Sequence, residues 1–322
     1  MDRSCAKSYN IQIIRGLAII AVVFIHNTPA GIYQVLCRPF LNFCVAEFLF
    51  ISGYLSKIEK WNVKGRLNKV IVPYVIWTLI YTFLYNYKNI RIIPSIFLKS
   101  LLLGNAAPIM YYIFVYCELT LLIPMIDKLA KSKYKYCGFI ISLLEIIIMR
   151  LIPSITGYIF NDYIIKIMNL SCLGWFIYFY LGYVSGNNII KIKFNTYKLC
   201  AAYLCSLVLQ VMEGFAYLYM GINNYGTQLK LTSVITSVIF CLISYNLINT
   251  NKKLNLKILY VLGNYSFGIY FTHMAIMLIL EKIPCYSGII YPFNAIAVII
   301  VSAVVVISVH KILGGKSKYL AF

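Results

Sequence analysis

The stretch Ile11–Asn27, IQIIRGLAIIAVVFIHN, decides what kind of protein this is. It is apolar enough to enter a bilayer, yet it carries Arg15 and His26. A charged side chain at the centre of a membrane helix costs about 3 kcal/mol on insertion scales, so such a group faces a partner or a water-filled cavity. Arg15 and His26 are eleven residues apart. In a helix that is about three turns and about 16 Å of rise, so both side chains leave nearly the same face. One helix would then present a cation near one membrane surface and a titratable base toward the other. Two unrelated polar residues satisfied by packing would give the same pattern, so the rest of the chain has to decide.

Composition narrows the class. The chain has 322 residues, 61% of them hydrophobic and 12% charged, with a mean hydropathy of +0.82. A soluble domain is about half apolar and about a quarter charged. The expectation is an all-α, polytopic integral membrane protein forming a single domain over residues 1–322. The first apolar segment lacks a small-residue cleavage site and is expected to stay attached. The formal charge of +20 does not point to nucleic acid. The basic residues come in small groups between apolar segments, as those that set membrane orientation do. The ten cysteines contain no C-x-x-C. Most, such as Cys44, Cys117, Cys172, Cys205 and Cys241, sit in apolar runs, where cysteine acts as a small hydrophobe. Neither a metal site nor a disulfide framework is expected.

About ten helical spans are expected, at 11–28, 38–56, 70–87, 108–126, 136–153, 170–187, 198–219, 229–249, 257–280 and 289–311. Each is near the length that about 30 Å of hydrocarbon requires. Residues 88–107 read as a re-entrant or interfacial helix. Alternate connections divide the 29 lysines and arginines unevenly, 20 against 8 with Arg15 set aside. The richer set includes Lys60 and Lys131, and the poorer set includes Arg38 and Lys230. The positive-inside rule then puts both termini in the cytoplasm, Arg15 near the cytoplasmic side, and His26 and Asn224 toward the outer side.

Further polar residues follow in order. Glu47, in LNFCVAEFLFISGYL, is expected at a depth between Arg15 and His26; alone it would be a neutral buried acid. The adjoining Ser52–Gly53 reads as a close-packing pair. Arg66 and Lys69 sit three apart at the cytoplasmic edge, where two cations on one helical face can bind phosphates or lipid headgroups. Glu118, Glu145 and Glu213 read as locally paired or neutral acids. Trp175, Phe176, Tyr178, Phe179 and Tyr180 read as interface anchors. His273 lies deep in an apolar run, and His310 reads as a snorkelling or lipid-facing residue.

Several of these stretches, taken together, resemble the bacterial membrane-bound acyltransferase family 3. Arg15 and His26 match its R-x10-H signature. Val45–Leu55, VAEFLFISGYL, is similar to its second-span pattern of an acid, paired aromatics and Ser-Gly-aromatic. Arg66 and Lys69 match its R-x-x-R motif with lysine in the second place, followed by Pro73 and Tyr74. Phe179–Gly186 and Gly263–His273 are similar to later blocks. Tyr111–Tyr112 stands where many members carry a tryptophan, and Asn264 stands at a position often basic. Lys69 lacks the planar fork of arginine.

The resemblance implies an O-acyltransferase of the bacterial inner membrane. Its donor would be cytoplasmic acyl-CoA, commonly acetyl-CoA, and no metal is implied. Its acceptor would be a surface glycan or lipid-linked sugar, met among membrane lipids. It implies His26, Arg15 and Glu47 as the catalytic set and Arg66 and Lys69 as donor-binding residues. Two rival expectations are a transporter of an anion or lipid-linked saccharide, and the same scaffold acylating an amino acid or peptidoglycan unit.

Overall fold

A computed structural model describes residues 3–157, 160–222, 225–250 and 252–322. Asn224, expected on the outer side, lies outside the described residues.

The opening stretch lies within one uninterrupted helix, α1 (Arg3–Asn27). Its last turn leaves carbonyls without helical partners. Asn27 Nδ2 donates to the Val23 carbonyl at 2.8 Å, and Thr28 Oγ1 donates to that of Phe24 at 2.8 Å. The next apolar stretch is bent. α2 (Ile32–Cys37) passes through a 3-10 turn holding Pro39 into α3 (Phe43–Tyr54). α4 (Val63–Asn86) starts at Asn62, whose side chain accepts from the Gly65 N–H at 2.8 Å. α5 (Ile93–Leu103) stops at Gly104, whose φ of 60° is left-handed and suits a residue without a β-carbon.

α6 (Tyr111–Leu121) and α7 (Ile123–Lys131) are separated at Leu122, just before Pro124. α8 (Ile141–Ile146) widens into a π turn before α9 (Ile152–Thr156), where Pro153 has no N–H to give. Then come α10 (Asp162–Leu170), α11 (Phe176–Gly186), α12 (Thr196–Tyr219) and α13 (Leu231–Asn249). α14 (Lys257–Asn264) and α15 (Ser266–Leu280) are parted at Tyr265. α16 (Pro284–Ser287) and α17 (Phe293–Leu313) lead into a closing 3-10 segment, Gly314–Leu320.

The described residues contain helices and no strands. The apolar helices fit a multi-pass membrane protein. Among the described residues, six are long and apolar enough to cross a bilayer, starting at Cys5, Ile32, Val63, Thr196, Leu231 and Phe293. The remaining four of the ten expected spans are divided. Residues 108–126 and 257–280 each become two helices, 136–153 becomes a chain of short helical turns, and 170–187 becomes a 3-10 turn and α11. Runs of apolar residues set where helices can form, while Pro124, Pro153 and local packing decide where they break. Residues 88–107 do form a short helix, α5, whose eleven residues cannot span.

The chain folds as two compact units that interleave in sequence. The first comprises Met1–Trp61, Leu122–Phe160 and Leu173–Asn264, and the second comprises Asn62–Leu121, Asn161–Cys172 and Tyr265–Phe322.

In the first unit, two helix crossings bring backbone onto backbone. Gly16 of α1 lies on the Leu259 carbonyl of α14, and Gly263 of α14 lies on the Gln12 carbonyl of α1. A β-carbon at either site would overlap that oxygen. α3 and α11 meet the same way, through Gly53 on Phe179 and through Gly182 and Gly186 on Phe50 and Tyr54. The four-residue spacing of Gly182 and Gly186 is the small-residue pattern that lets membrane helices approach. Beside it, Trp175, Phe176, Tyr178, Phe179 and Tyr180 are all buried. They are core residues and not interface anchors: a helix in close backbone contact with α3 has little surface left for lipid. α12 and α13 pack together, and α13 closes on α3 and α1.

In the second unit, α4 is the spine. Tyr74 donates to the Leu101 carbonyl at 2.7 Å, Trp77 Nε1 to that of Leu320 at 3.1 Å, and Tyr81 to that of Phe271 at 2.6 Å. These aromatic hydroxyls and the indole bury an apolar body while giving the polar tip a carbonyl.

Candidate functional site

Arg15 and His26 lie on the same continuous helix, so their shared face follows from α1 being unbroken. Both are half-buried, whereas their neighbours Ile14, Gly16 and Ile25 are buried. His26 is in the last turn, beside carbonyls that carry the partial negative charge of the helix end. The neighbouring Ile25 carbonyl accepts from Arg38 Nη2 at 3.4 Å. Arg38, on the 3-10 turn after α2, therefore caps the end of α1 one residue away from His26. It was placed in the sequence only among the outer basic residues. A single arginine beside Pro39 has no spacing signature that would single it out.

Glu47 is completely buried on α3, which packs against α1. The groups that meet its carboxyl are the neutral Cys241 thiol and Ser244 hydroxyl of α13, but neither oxygen completes a well-formed hydrogen bond.

The other intramembrane acids are locally engaged, as their sequence context suggested. Glu118 accepts from the Cys172 N–H at 2.7 Å, Glu145 meets Arg150 at 3.4 Å, and Glu213 accepts from the Thr232 hydroxyl. His310 Nδ1 lies 3.0 Å from Ser317 Oγ, and its ring meets the edge of Tyr265.

In the second unit, Arg66 and Lys69 stand on the first two turns of α4, which Asn62 fixes. Arg66 is half-buried and Lys69 exposed. Two cations near a helix N-terminus add to its positive end, an arrangement suited to phosphate. His273 is completely buried on α15, its Nδ1 3.0 Å from the Ile269 carbonyl one turn earlier.

The structure thus puts three of the five expected site residues, Arg15, His26 and Glu47, on packed helices of one unit. It puts Arg66 and Lys69 together on one helix of the other. Residues 8–311 match the family described as an acyltransferase domain, a match that runs through both units. No curated protein and no solved structure matches the chain.

Proposed function

This chain belongs to acyltransferase family 3, and on that premise we propose that it transfers an acetyl group from cytoplasmic acetyl-CoA to a hydroxyl of an extracytoplasmic or lipid-linked sugar. The observation that carries the reading is the pair Arg15 and His26. They lie on one face of a single unbroken helix, half-buried where their neighbours are buried, at the spacing of the family signature.

The division of labour follows from charge and proton affinity. Arg66 and Lys69 take the phosphates of CoA, the arginine through its planar fork and the lysine as a point charge. Arg15, about three turns along α1 from His26, helps hold the donor from the cytoplasmic side. His26 removes the proton from the acceptor hydroxyl as its oxygen attacks the thioester carbonyl. The tetrahedral intermediate collapses, the carbon–sulfur bond breaks, and the imidazolium returns its proton to the departing CoA sulfur. Glu47 acts as a positioning residue that seats α3 between α1 and α13.

The test uses purified protein in lipid nanodiscs with acetyl-labelled acetyl-CoA, alongside mass spectrometry of cell-surface glycans with and without the gene. The expected result is release of free CoA by the protein and an acetyl mass increment on a glycan only when the gene is present. Movement of a solute across the bilayer with no CoA released would replace the enzyme with a transporter.

A further inference from the structure

Near the end of α1 that carries His26, the first unit gathers amide side chains whose carbonyl oxygens have nothing to accept from. Asn42 at the start of α3 and Gln210 of α12 are buried, with relative exposures of 1% and 0%. Both point their amide nitrogens at Ser233 of α13. Asn42 Nδ2 lies 3.4 Å from Ser233 Oγ and 3.5 Å from the Thr227 carbonyl, and Gln210 Nε2 lies 2.6 Å from Ser233 Oγ.

Ser233 has one proton and gives it to the Thr227 carbonyl at 3.2 Å. With that proton committed, its oxygen accepts from the two amides, which present nitrogen to it and turn oxygen away. Gln228 does likewise, donating its amide to Cys44 Sγ at 3.3 Å. The oxygens of Asn42, Gln210 and Gln228, and the Nε of Arg38, are left buried without a hydrogen-bond partner among the described residues.

Such atoms are destabilising if left so, and four in one region call for an occupant. Three are acceptors and one is a donor. An anion would bring more acceptors and would be repelled by the three carbonyl oxygens. A polyhydroxylated, uncharged ring brings several O–H donors, and each of its hydroxyls can also accept from Arg38. We infer that Arg38, Asn42, Gln210 and Gln228 form a subsite for the hydroxyls of a neutral sugar, on the acceptor side of the reaction. This rests on the acyl-transfer reading above only for the word acceptor; the binding chemistry stands on the cluster itself.

The experiment uses a diazirine-bearing methyl glucoside on the full-length protein in nanodiscs, with the labelled peptides mapped by mass spectrometry. Adducts are expected on the segments around Gln34–Asn42 and Thr227–Ser233, suppressed by unlabelled methyl glucoside and unaffected by methyl phosphate. Asn42→Leu and Gln210→Leu should each cut this labelling about tenfold, the size of one lost hydrogen bond set. His26→Ala should leave it intact. Gln210→Met, which keeps the length and removes the acceptor oxygen, serves if the leucine variants fail to insert, and it too should lower labelling. Labelling elsewhere, labelling indifferent to these variants, or competition by methyl phosphate would overturn the proposal and leave the cluster as a seat for ordered water. The acyl-transfer reading is checked separately by CoA release in the same nanodiscs. Release with no labelling at the cluster defeats the subsite alone, and labelling with no release defeats the transferase alone.

Discussion

At the scale of single residues, environment separates groups that look alike in the sequence. Arg66 and Lys69 are a half-buried and an exposed cation on consecutive turns of one capped helix. Arg66→Ala and Lys69→Ala should each raise the Michaelis constant for acetyl-CoA, by about three- to tenfold, since a charge-assisted bond contributes about 1.5–3 kcal/mol when fully formed and less when solvated. Lys69→Arg should hold donor as well as or better than the natural residue, because it restores the fork. Steady-state kinetics over a range of acetyl-CoA concentrations reads this directly, and unchanged constants in both alanine variants would assign the pair to lipid headgroups. Glu47 differs in kind. With a neutral thiol and hydroxyl at its carboxyl, Glu47→Gln should insert, fold and keep activity within about tenfold, whereas Glu47→Leu, which sets a branched apolar side chain against that thiol and hydroxyl in a packed core, should cost about 1–3 kcal/mol of stability. A dead but stable glutamine variant would show that the carboxylate itself takes part in the reaction.

Elements were legible where they are long and unbroken. The span containing Arg15 and His26 could be read as a helix from its apolar length, and its polar pair from spacing alone. α4, α12, α13 and α17 followed similarly. The breaks were not legible. Leu122 and Tyr265 divide helices inside apolar runs that hydropathy treats as continuous, and Trp175–Tyr180 look like interface aromatics until the crossing of α11 on α3 is seen. The information that distinguishes them is tertiary: three glycines, Gly53, Gly182 and Gly186, let two backbones touch, and that contact buries the aromatics. The amide cluster of Asn42, Gln210 and Gln228 was invisible for the same reason, since lone polar residues on separate helices share no spacing. The crossing itself is testable. Gly182→Leu should overlap the Phe50 carbonyl, force α3 and α11 apart, and cost about 1–3 kcal/mol or more. Thermal unfolding in detergent would show this as a lowered midpoint, with Gly221→Leu unsuitable as a control because its φ of 68° is strained in its own right. Leu204→Gly, at an exposed site of α12, gives a better reference, losing about 1 kcal/mol through helix propensity alone.

At the scale of the molecule, the family match spans residues 8–311 and takes in segments of both units. On the ten spans expected from the sequence, the basic residues fall 20 against 8 on alternate connections, which predicts cytoplasmic termini. Single cysteines placed at Lys60 and Lys131 of a cysteine-free background should resist an impermeant thiol reagent in intact cells, and one at Asn224 should react. The reverse pattern would place both termini outside and would move His26 to the cytoplasmic face.

The central claim is that His26 performs the proton transfer of an acyltransferase. Its most direct test is a single-turnover assay of His26→Ala and His26→Gln, each reconstituted in nanodiscs and loaded with acetyl-labelled acetyl-CoA. Both variants should insert, retain the natural thermal midpoint and bind acetyl-CoA. Both should lose acyl transfer by about 10²–10⁴-fold, since an amide can hydrogen-bond but cannot take the proton at neutral pH. A correctly inserted His26→Ala protein that transfers the acetyl group at a near-natural rate would contradict the account.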